Sequence, residues 1–176
     1  MAEPLSVVLH AAVQAGSLAG KRVLVTGCGP IGLSAVLVAR AFGAIEIVAT
    51  DVADFTLANA REVGADTALN VAETPNALSP YERDKGRFDV LFECSGVAAA
   101  LGSAIQAMRP GGTIVQLGLG GDMTLPVQLM TAKELSLRGS FRFHHEFSTA
   151  VELMQTQLPG DDQGSLKLRP GYASQF

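Results

Sequence analysis

The sequence predicts an α/β fold in which a doubly wound, mostly parallel sheet of about six strands forms a single domain. Three observations support this fold class. Short β-branched apolar runs alternate with helical patterns along most of the chain, which is typical of a sheet covered by helices on both faces. Hydrophobic residues make up 48% of the 176 residues, enough for one sizeable core. One apolar run leads directly into a glycine-rich turn and then a helix.

The predicted elements follow one another in a regular order. A helix over residues 5–15 is apolar nearly all round, so it needs cover on several sides, and we assign residues 1–20 as an interdomain helix beside a further domain. Six strands are predicted over residues 21–26, 45–50, 67–70, 88–94, 113–118 and 135–141. Helices are predicted over residues 33–42, 55–63, 98–108, 126–134 and 147–155.

Two segments interrupt this order. Residues 72–86 contain two prolines and mixed charges, which predicts a surface loop or a frayed helix. Residues 156–176 show no apolar period, so we expect an irregular tail outside the fold. The nucleotide-binding domain is therefore assigned to residues 21–155.

Composition excludes several classes of function. Asp and Glu (17) outnumber Lys and Arg (13), which argues against a nucleic-acid or anionic-membrane partner. Two cysteines without metal-like spacing indicate a reducing compartment and no disulfide framework. No basic leader or membrane-length apolar run is present, so we expect a cytoplasmic protein.

The glycine-rich turn has the Gly-x-Gly-x-x-Gly spacing of a dinucleotide-binding fingerprint between a strand and a helix. Gly27 permits a sharp turn off the strand, and Gly29 allows the backbone to approach a pyrophosphate. Gly32 lets the helix pack tightly on the sheet. Pro30 suits the first helical position, where its missing N–H costs nothing, and Ile31 completes the turn. The helix N-terminus then favours an anion.

An acidic residue completes the fingerprint. Asp51 lies 24 residues after Gly27, at the end of the second predicted strand. Its carboxylate would accept the ribose hydroxyls of an adenosine half and would repel a 2′-phosphate. The sequence therefore predicts a Rossmann-like domain that binds NAD in preference to NADP. A different class, the adenosylmethionine-dependent methyltransferases, shares the acidic residue, but its turn is usually Gly-x-Gly-x-Gly, and position 31 here is Ile.

Other chemically suggestive residues favour ordinary structural roles. Tyr81 and Lys85 have the spacing of a short-chain dehydrogenase pair, but they lie in a surface segment before the fourth strand. His144, His145 and Glu146 are adjacent, so their side chains point to different sides and rarely close on one ion.

The remaining candidates are a histidine and the two cysteines. His10 lies in the first helix without a second ligand nearby, which favours a core or interface histidine. Cys28 and Cys94 are interpreted as small fillers rather than nucleophiles, because no paired base is evident.

Two arginines near the sixth strand leave two interpretations open. Arg138 and Arg142 share parity along that predicted strand and would project to one side. They form either a solvated basic edge or, for Arg142, part of the substrate crevice at the carboxyl end of the strand.

Taken together, the motifs of residues 2–155 resemble the zinc-dependent medium-chain alcohol and polyol dehydrogenases. The resemblance is carried by residues 3–7, the glycine turn over residues 27–32, Asp51, and the segments 92–96, 109–112 and 137–143. It implies oxidation of a secondary alcohol to a ketone by hydride transfer to NAD, with zinc in the intact parent enzyme. It also implies a small polyol or sugar-acid substrate.

The resemblance further implies site residues. Glu3 matches a glutamate close to the catalytic zinc, and Arg142 matches a substrate-side arginine. The segments that match the nicotinamide-side backbone are Ser95, Gly96, Leu117 and Gly118. Coenzyme domains of the family pair edge to edge, so we expect a homo-oligomer through the sixth strand.

The departures from the family pattern also matter. The first zinc ligands and the structural-zinc cysteines would precede Met1, so we expect no zinc and no turnover in this chain by itself. The tail after residue 155 also differs from the family. A non-catalytic NAD-binding or interaction module is therefore kept as the alternative.

Overall fold

A computed structural model describes residues 2–143 together with residues 146, 148, 150 and 151. Six strands form one sheet in the order β3-β2-β1-β4-β5-β6, and every neighbouring pair is parallel. The strands are β1 Arg22–Thr26, β2 Glu46–Asp51, β3 Thr67–Asn70, β4 Phe88–Glu93, β5 Met108–Gln116 and β6 Ser136–Gly139. This topology confirms the predicted fold class.

Helices connect the strands and cover both faces of the sheet. They are α1 Ala2–Ala15, α2 Pro30–Ala41, α3 Asp54–Glu62, α4 Ala98–Ala107 and α5 Val127–Ala132. The predicted loop after β3 contains two 3₁₀ turns, Ser79–Tyr81 and Arg83–Lys85. The described residues beyond 143 are helical, at the position of the last predicted helix.

The strand order reverses between β1 and β4, and this reversal creates the site. β1 pairs with β2 on one side and with β4 on the other, with Val25 opposite both Ala49 and Phe92. The connections from β1 and β4 leave toward opposite halves of the sheet, which opens a crevice beyond the carboxyl ends of these strands.

Alternate residues of the central strand face two separate cores. Val23 and Val25 pack into a cluster with α1 and α2, whereas Leu24 packs with Leu91 and Ile105 on the other face. This alternation is the period of two that a pleated strand imposes. Burial on both faces explains why the central strands are nearly continuous apolar runs.

Other elements of the same chain cover much of the surface of helix α1. It packs against α2 and β5, and its Val8 and Leu9 are fully buried. The imidazole Nδ1 of His10 lies 2.9 Å from Oε1 of Glu146, and both side chains are mostly buried. The interpretation of His10 as a core or interface histidine agrees with this contact, while the interdomain role of residues 1–20 stays a prediction.

The sheet differs from the sequence prediction at its β6 edge. We predicted a sixth strand over residues 135–141, but β6 ends at Gly139. Beyond it, the Ser140 amide donates to the Gln116 carbonyl at 2.9 Å, and Arg142 adopts a left-handed φ of 59°. Such a conformation interrupts the pleated ladder. Arg142 therefore does not share a strand face with Arg138, and the predicted parity is wrong.

Lys133 joins α5 to the end of α4 in a way that the sequence did not predict. Its ammonium Nζ donates to the carbonyl oxygens of Ile105, Gln106 and Met108 at 3.3, 2.6 and 2.8 Å. These carbonyls end α4, where intrahelical partners run out. Burial lowers the pKa of Lys133, although the nearby negative charge of Glu82 acts in the opposite direction.

No helix among the described residues is long and apolar enough to cross a membrane.

Candidate nucleotide site

A cavity of about 640 Å³ lies at the carboxyl ends of β1, β2 and β4. The residues around it include Gly27, Gly29, Asp51, Val71, Cys94 and Ser95. It therefore occupies the crevice that the reversal of strand order creates. Its lining is mainly apolar, with a few polar groups where β2 and β4 end.

Two glycines of the turn are required by the protein itself. Gly27 has a φ of 83°, and a Cβ there would lie 2.9 Å from the Cα of Ser95. A Cβ on Gly32 would lie only 1.7 Å from the carbonyl oxygen of Gly27. The structure thus supports the predicted roles of a sharp turn and a close helix approach.

Gly29 differs from the other two glycines. It precedes α2 with an ordinary φ of −68°, and a Cβ at this position would meet no atom within 4 Å. It borders the cavity, and Pro30 begins the helix directly after it. The fold therefore places no demand for glycine here, whereas a group bound against the turn would. The helix N-terminus beside it also offers amide donors without intrahelical partners.

Asp51 ends β2 and borders the same cavity as the glycine turn. Its Oδ2 accepts a hydrogen bond from the Cys28 amide at 2.5 Å, and its Oδ1 accepts from the amides of Val52 and Ala53 at 2.7 and 3.1 Å. The carboxylate thus fastens the glycine turn to the end of β2. The sequence fingerprint predicted its position but not this second task.

The two segments predicted to lie beside the nicotinamide are in contact with each other, and Ser95 adjoins the glycine turn at Gly27. Ser95 borders the cavity, and Gly96 follows it with a φ of 67°. Gly118 packs so closely against Gly96 that a Cβ on Gly118 would lie 2.1 Å from the Gly96 amide nitrogen. The Leu117 amide donates to the backbone carbonyl of Glu93 at 2.8 Å. These segments therefore form one packed unit beside the cavity.

Glu93 lies beneath this unit and was missed by sequence reasoning. Its side chain is fully buried, and its carboxylate accepts hydrogen bonds from the Ser95 hydroxyl and from Gln116 Nε2, the latter at 2.6 Å. The available signal was an acidic residue at the end of an otherwise apolar strand.

Other predicted site residues lie outside the cavity lining. Pro30, Ile31 and Gly32 belong to the first turn of α2 behind the glycine turn, and Ile31 packs against the core. Arg142 is exposed, with its guanidinium carbon 5.3 Å from the ring centroid of Phe141. Glu3 is exposed in the first turn of α1. The roles of Arg142 and Glu3 stay predictions.

The described residues contain no cluster of three or more His, Cys, Asp or Glu side chains suited to a metal ion. The residues in this part of the chain therefore do not fit a zinc centre. His144 and His145, which belong to the run weighed for metal binding, lie outside the described residues.

The tyrosine–lysine pair and the two cysteines have surroundings typical of residues without a catalytic role. The Tyr81 ring packs 5.1 Å from the Phe88 ring, whereas Lys85 is exposed. Burial, together with the negative charge of Asp51, raises the pKa of Cys28 to about 12. Burial likewise raises the pKa of Cys94, with the Glu93 charge acting in the same direction. These shifts keep both thiols protonated and support their interpretation as fillers.

Comparison with known proteins finds relatives that match most of this chain. The family model described as zinc-binding dehydrogenase matches residues 30–156. An Escherichia coli K12 protein named L-idonate 5-dehydrogenase (NAD(P)(+)) is 45% identical over 151 residues, covering 85% of this chain and 43% of that protein. Sorbitol dehydrogenase from Macaca fascicularis is 38% identical over 159 residues, covering 88% of this chain and 44% of that protein.

A solved structure gives the same result. The crystal structure of L-idonate 5-dehydrogenase from E. coli K-12 matches with a TM-score of 0.84 and 44% identity, covering 88% of this chain and 44% of that one. The chain thus spans less than half the length of these relatives. The family match covers most of the present sequence, from the start of α2 to beyond β6. The chain therefore belongs to the zinc-binding dehydrogenase family.

Proposed function

We propose that this chain binds NAD in the cavity at the carboxyl ends of β1, β2 and β4. The parent activity would be that of a polyol or sugar-acid dehydrogenase similar to L-idonate 5-dehydrogenase, which oxidises a secondary alcohol to a ketone. NAD supplies the nicotinamide ring that takes up the hydride. The residues of this chain bind and orient the coenzyme. No step is assigned to zinc, because the described residues do not fit a zinc centre.

Gly29 carries this proposal. A glycine that the fold does not require, at a helix start and facing a cavity, is explained by the close approach of a bound anionic group. Gly27 and Gly32 build the turn, and the backbone amides near Pro30 and Ile31 would face the pyrophosphate. Ser95, Gly96, Leu117 and Gly118 would lie beside the nicotinamide half.

Asp51 supports a preference for NAD over NADP. Its carboxylate borders the cavity where the adenosine ribose would lie, and no Lys or Arg belongs to the described lining. A 2′-phosphate would therefore meet a negative charge without a compensating cation. The name of the E. coli relative includes both coenzymes, so the proposed preference of this chain for NAD needs its own measurement.

A titration of NADH followed by its own fluorescence tests the proposal, because the chain contains no tryptophan. We expect saturable binding that excess adenosylmethionine does not displace. Asp51→Ala should weaken NADH binding about tenfold and narrow the difference between NADH and NADPH, because an anionic hydrogen-bond acceptor is lost.

Asp54→Ala is the matched control, since it removes a neighbouring carboxylate that does not border the cavity. If folded protein does not bind NADH at millimolar concentration, the NAD-binding proposal is overturned. Displacement of NADH by adenosylmethionine would instead favour the methyltransferase alternative. Tight NADH binding without turnover of any polyol or sugar acid by the parent enzyme would favour the non-catalytic module.

A further inference from the structure

Glu93 joins three separate segments through its side chain. Its Oε1 accepts from the Thr26 hydroxyl at 3.3 Å, from the Ser95 amide at 2.9 Å and from the Ser95 hydroxyl. The Gly96 amide lies 3.1 Å from both carboxylate oxygens, and Gln116 Nε2 donates to Oε2 at 2.6 Å. One carboxylate thus connects the end of β1, the turn after β4 and the end of β5.

The backbone of the same residue adds a second set of bonds. The Glu93 carbonyl oxygen accepts from the amides of Leu117 and Gly118, both at 2.8 Å. A Cβ on Gly118 would lie 2.7 Å from Glu93 Oε2, so the loop after β5 packs directly on the carboxylate. Glu93 therefore fixes the loops after β4 and β5 relative to each other.

Stability alone does not explain a carboxylate at this position. Glu93 is fully buried, and no Lys, Arg or His side chain in the described part of the molecule forms an ion pair with it. Burial of an acidic group without a cation is costly, and well-packed apolar residues often replace buried charges without loss of stability. The dense set of donors suggests that the carboxylate is retained for the geometry it imposes.

The location of these loops indicates which half of the coenzyme they serve. On the proposed function, Asp51 would bind the ribose of the adenosine half and Gly29 would lie against the pyrophosphate, since both residues border the cavity and Gly29 directly precedes α2. A dinucleotide that extends across the switch point must place its other half beyond β4 and β5. Ser95 borders the cavity on that side and is held by Glu93.

We propose that Glu93 is a positioning residue for the nicotinamide half of the coenzyme, because its carboxylate sets the spacing between the Ser95–Gly96 turn and the Leu117–Gly118 loop. This inference rests on the proposed NAD-binding function. It assigns Glu93 no direct contact with the coenzyme and no part in proton transfer.

Ligands with and without a nicotinamide ring separate this role from a general effect on folding. NADH binding is measured by fluorescence, and ADP-ribose binding by calorimetry, on wild-type protein and Glu93→Gln. The amide keeps the shape but turns an NH₂ group toward donors on one side. We expect NADH binding to weaken about tenfold, the size of one lost oriented hydrogen bond, while ADP-ribose affinity changes less than about twofold. The fluorescence of bound NADH should also move toward that of free NADH.

Asp89→Asn is the matched control, because Asp89 lies on the same strand at the end remote from the cavity and accepts from the Arg22 amide at 2.8 Å. It should leave the ratio of the two affinities unchanged. If thermal unfolding shows that Glu93→Gln does not fold, Gln116→Met removes one donor of the cluster and should shift the same ratio in the same direction.

The outcomes separate the two proposals. Wild-type protein that binds neither ligand overturns the NAD-binding function itself, and the role of Glu93 with it. Wild-type protein that binds both, with variants that weaken both ligands equally or neither, overturns the positioning role alone. Selective loss of NADH affinity supports it.

Discussion

Gly29 and Gly32 belong to one turn, yet the structure gives them different reasons to be glycine. We expect Gly29→Ala to lower the free energy of unfolding by no more than about 1 kcal/mol, because the added methyl group meets open space and only the N-cap preference for glycine over alanine is lost. NADH affinity should fall about tenfold or more, because the methyl group would occupy the space of the bound anion. Denaturant unfolding and NADH titration measure the two effects.

Gly32→Ala provides the opposite case. Its Cβ would lie 1.7 Å from the Gly27 carbonyl oxygen, so the helix must move and the protein should lose about 2 kcal/mol or more of stability. Equal destabilisation by both substitutions, with unchanged NADH affinity for Gly29→Ala, would contradict the assignment of Gly29 to ligand contact.

At the scale of elements, Lys133 connects α5 to the carboxyl end of α4. Lys133→Met should lower the free energy of unfolding by about 2–3 kcal/mol, because several buried carbonyl groups would lose a charged donor. Urea denaturation checks this value. Lys85→Met is the matched control, since Lys85 is exposed, and it should change stability by less than about 0.5 kcal/mol. Similar values for both variants would show that the cap contributes little.

The last strand of the sheet suggests self-association at the scale of the whole molecule. All residues of β6 are exposed, and Leu137 is 41% exposed. A strand edge with unpaired backbone groups and apolar side chains pairs readily with another such edge. We therefore predict a dimer through β6, measured by light scattering on concentrated protein.

A single charged substitution tests whether β6 forms the predicted dimer interface. Leu137→Lys should shift the molecule toward monomer, whereas Phe55→Lys on α3, 77% exposed in the native protein, should not. A wild-type protein that stays monomeric at high concentration would refute the predicted dimer.

The sequence predicted the layered fold and the glycine turn because their signals are local. A strand, a spaced set of glycines and an apolar helix follow one another over residues 21–42, so each neighbour supports the interpretation of the next. The roles of Glu93 and Lys133 were not predictable in this way. Glu93 meets Thr26 from 67 residues away, and Lys133 meets carbonyl groups 25 or more residues earlier.

The prediction that Arg142 shares a strand face with Arg138 was wrong for a related reason. Alternation along a strand predicts side-chain direction only while the strand continues. β6 ends at Gly139, but a lone glycine can also lie inside a strand, so it did not mark the end of β6 in the sequence. The left-handed φ at Arg142 has no local sequence signal either.

The bond between Asp51 and Cys28 has a consequence for coenzyme engineering. A carboxylate offers about four lone-pair sites, and three backbone amides already use this one. A ribose with two hydroxyl donors must therefore displace or share an existing partner, so its affinity reflects an exchange rather than a simple gain. A redesign that replaces Asp51 to admit a phosphorylated ribose would therefore leave the Cys28 amide without its acceptor. It would have to supply a substitute acceptor before a new cation for the phosphate became useful.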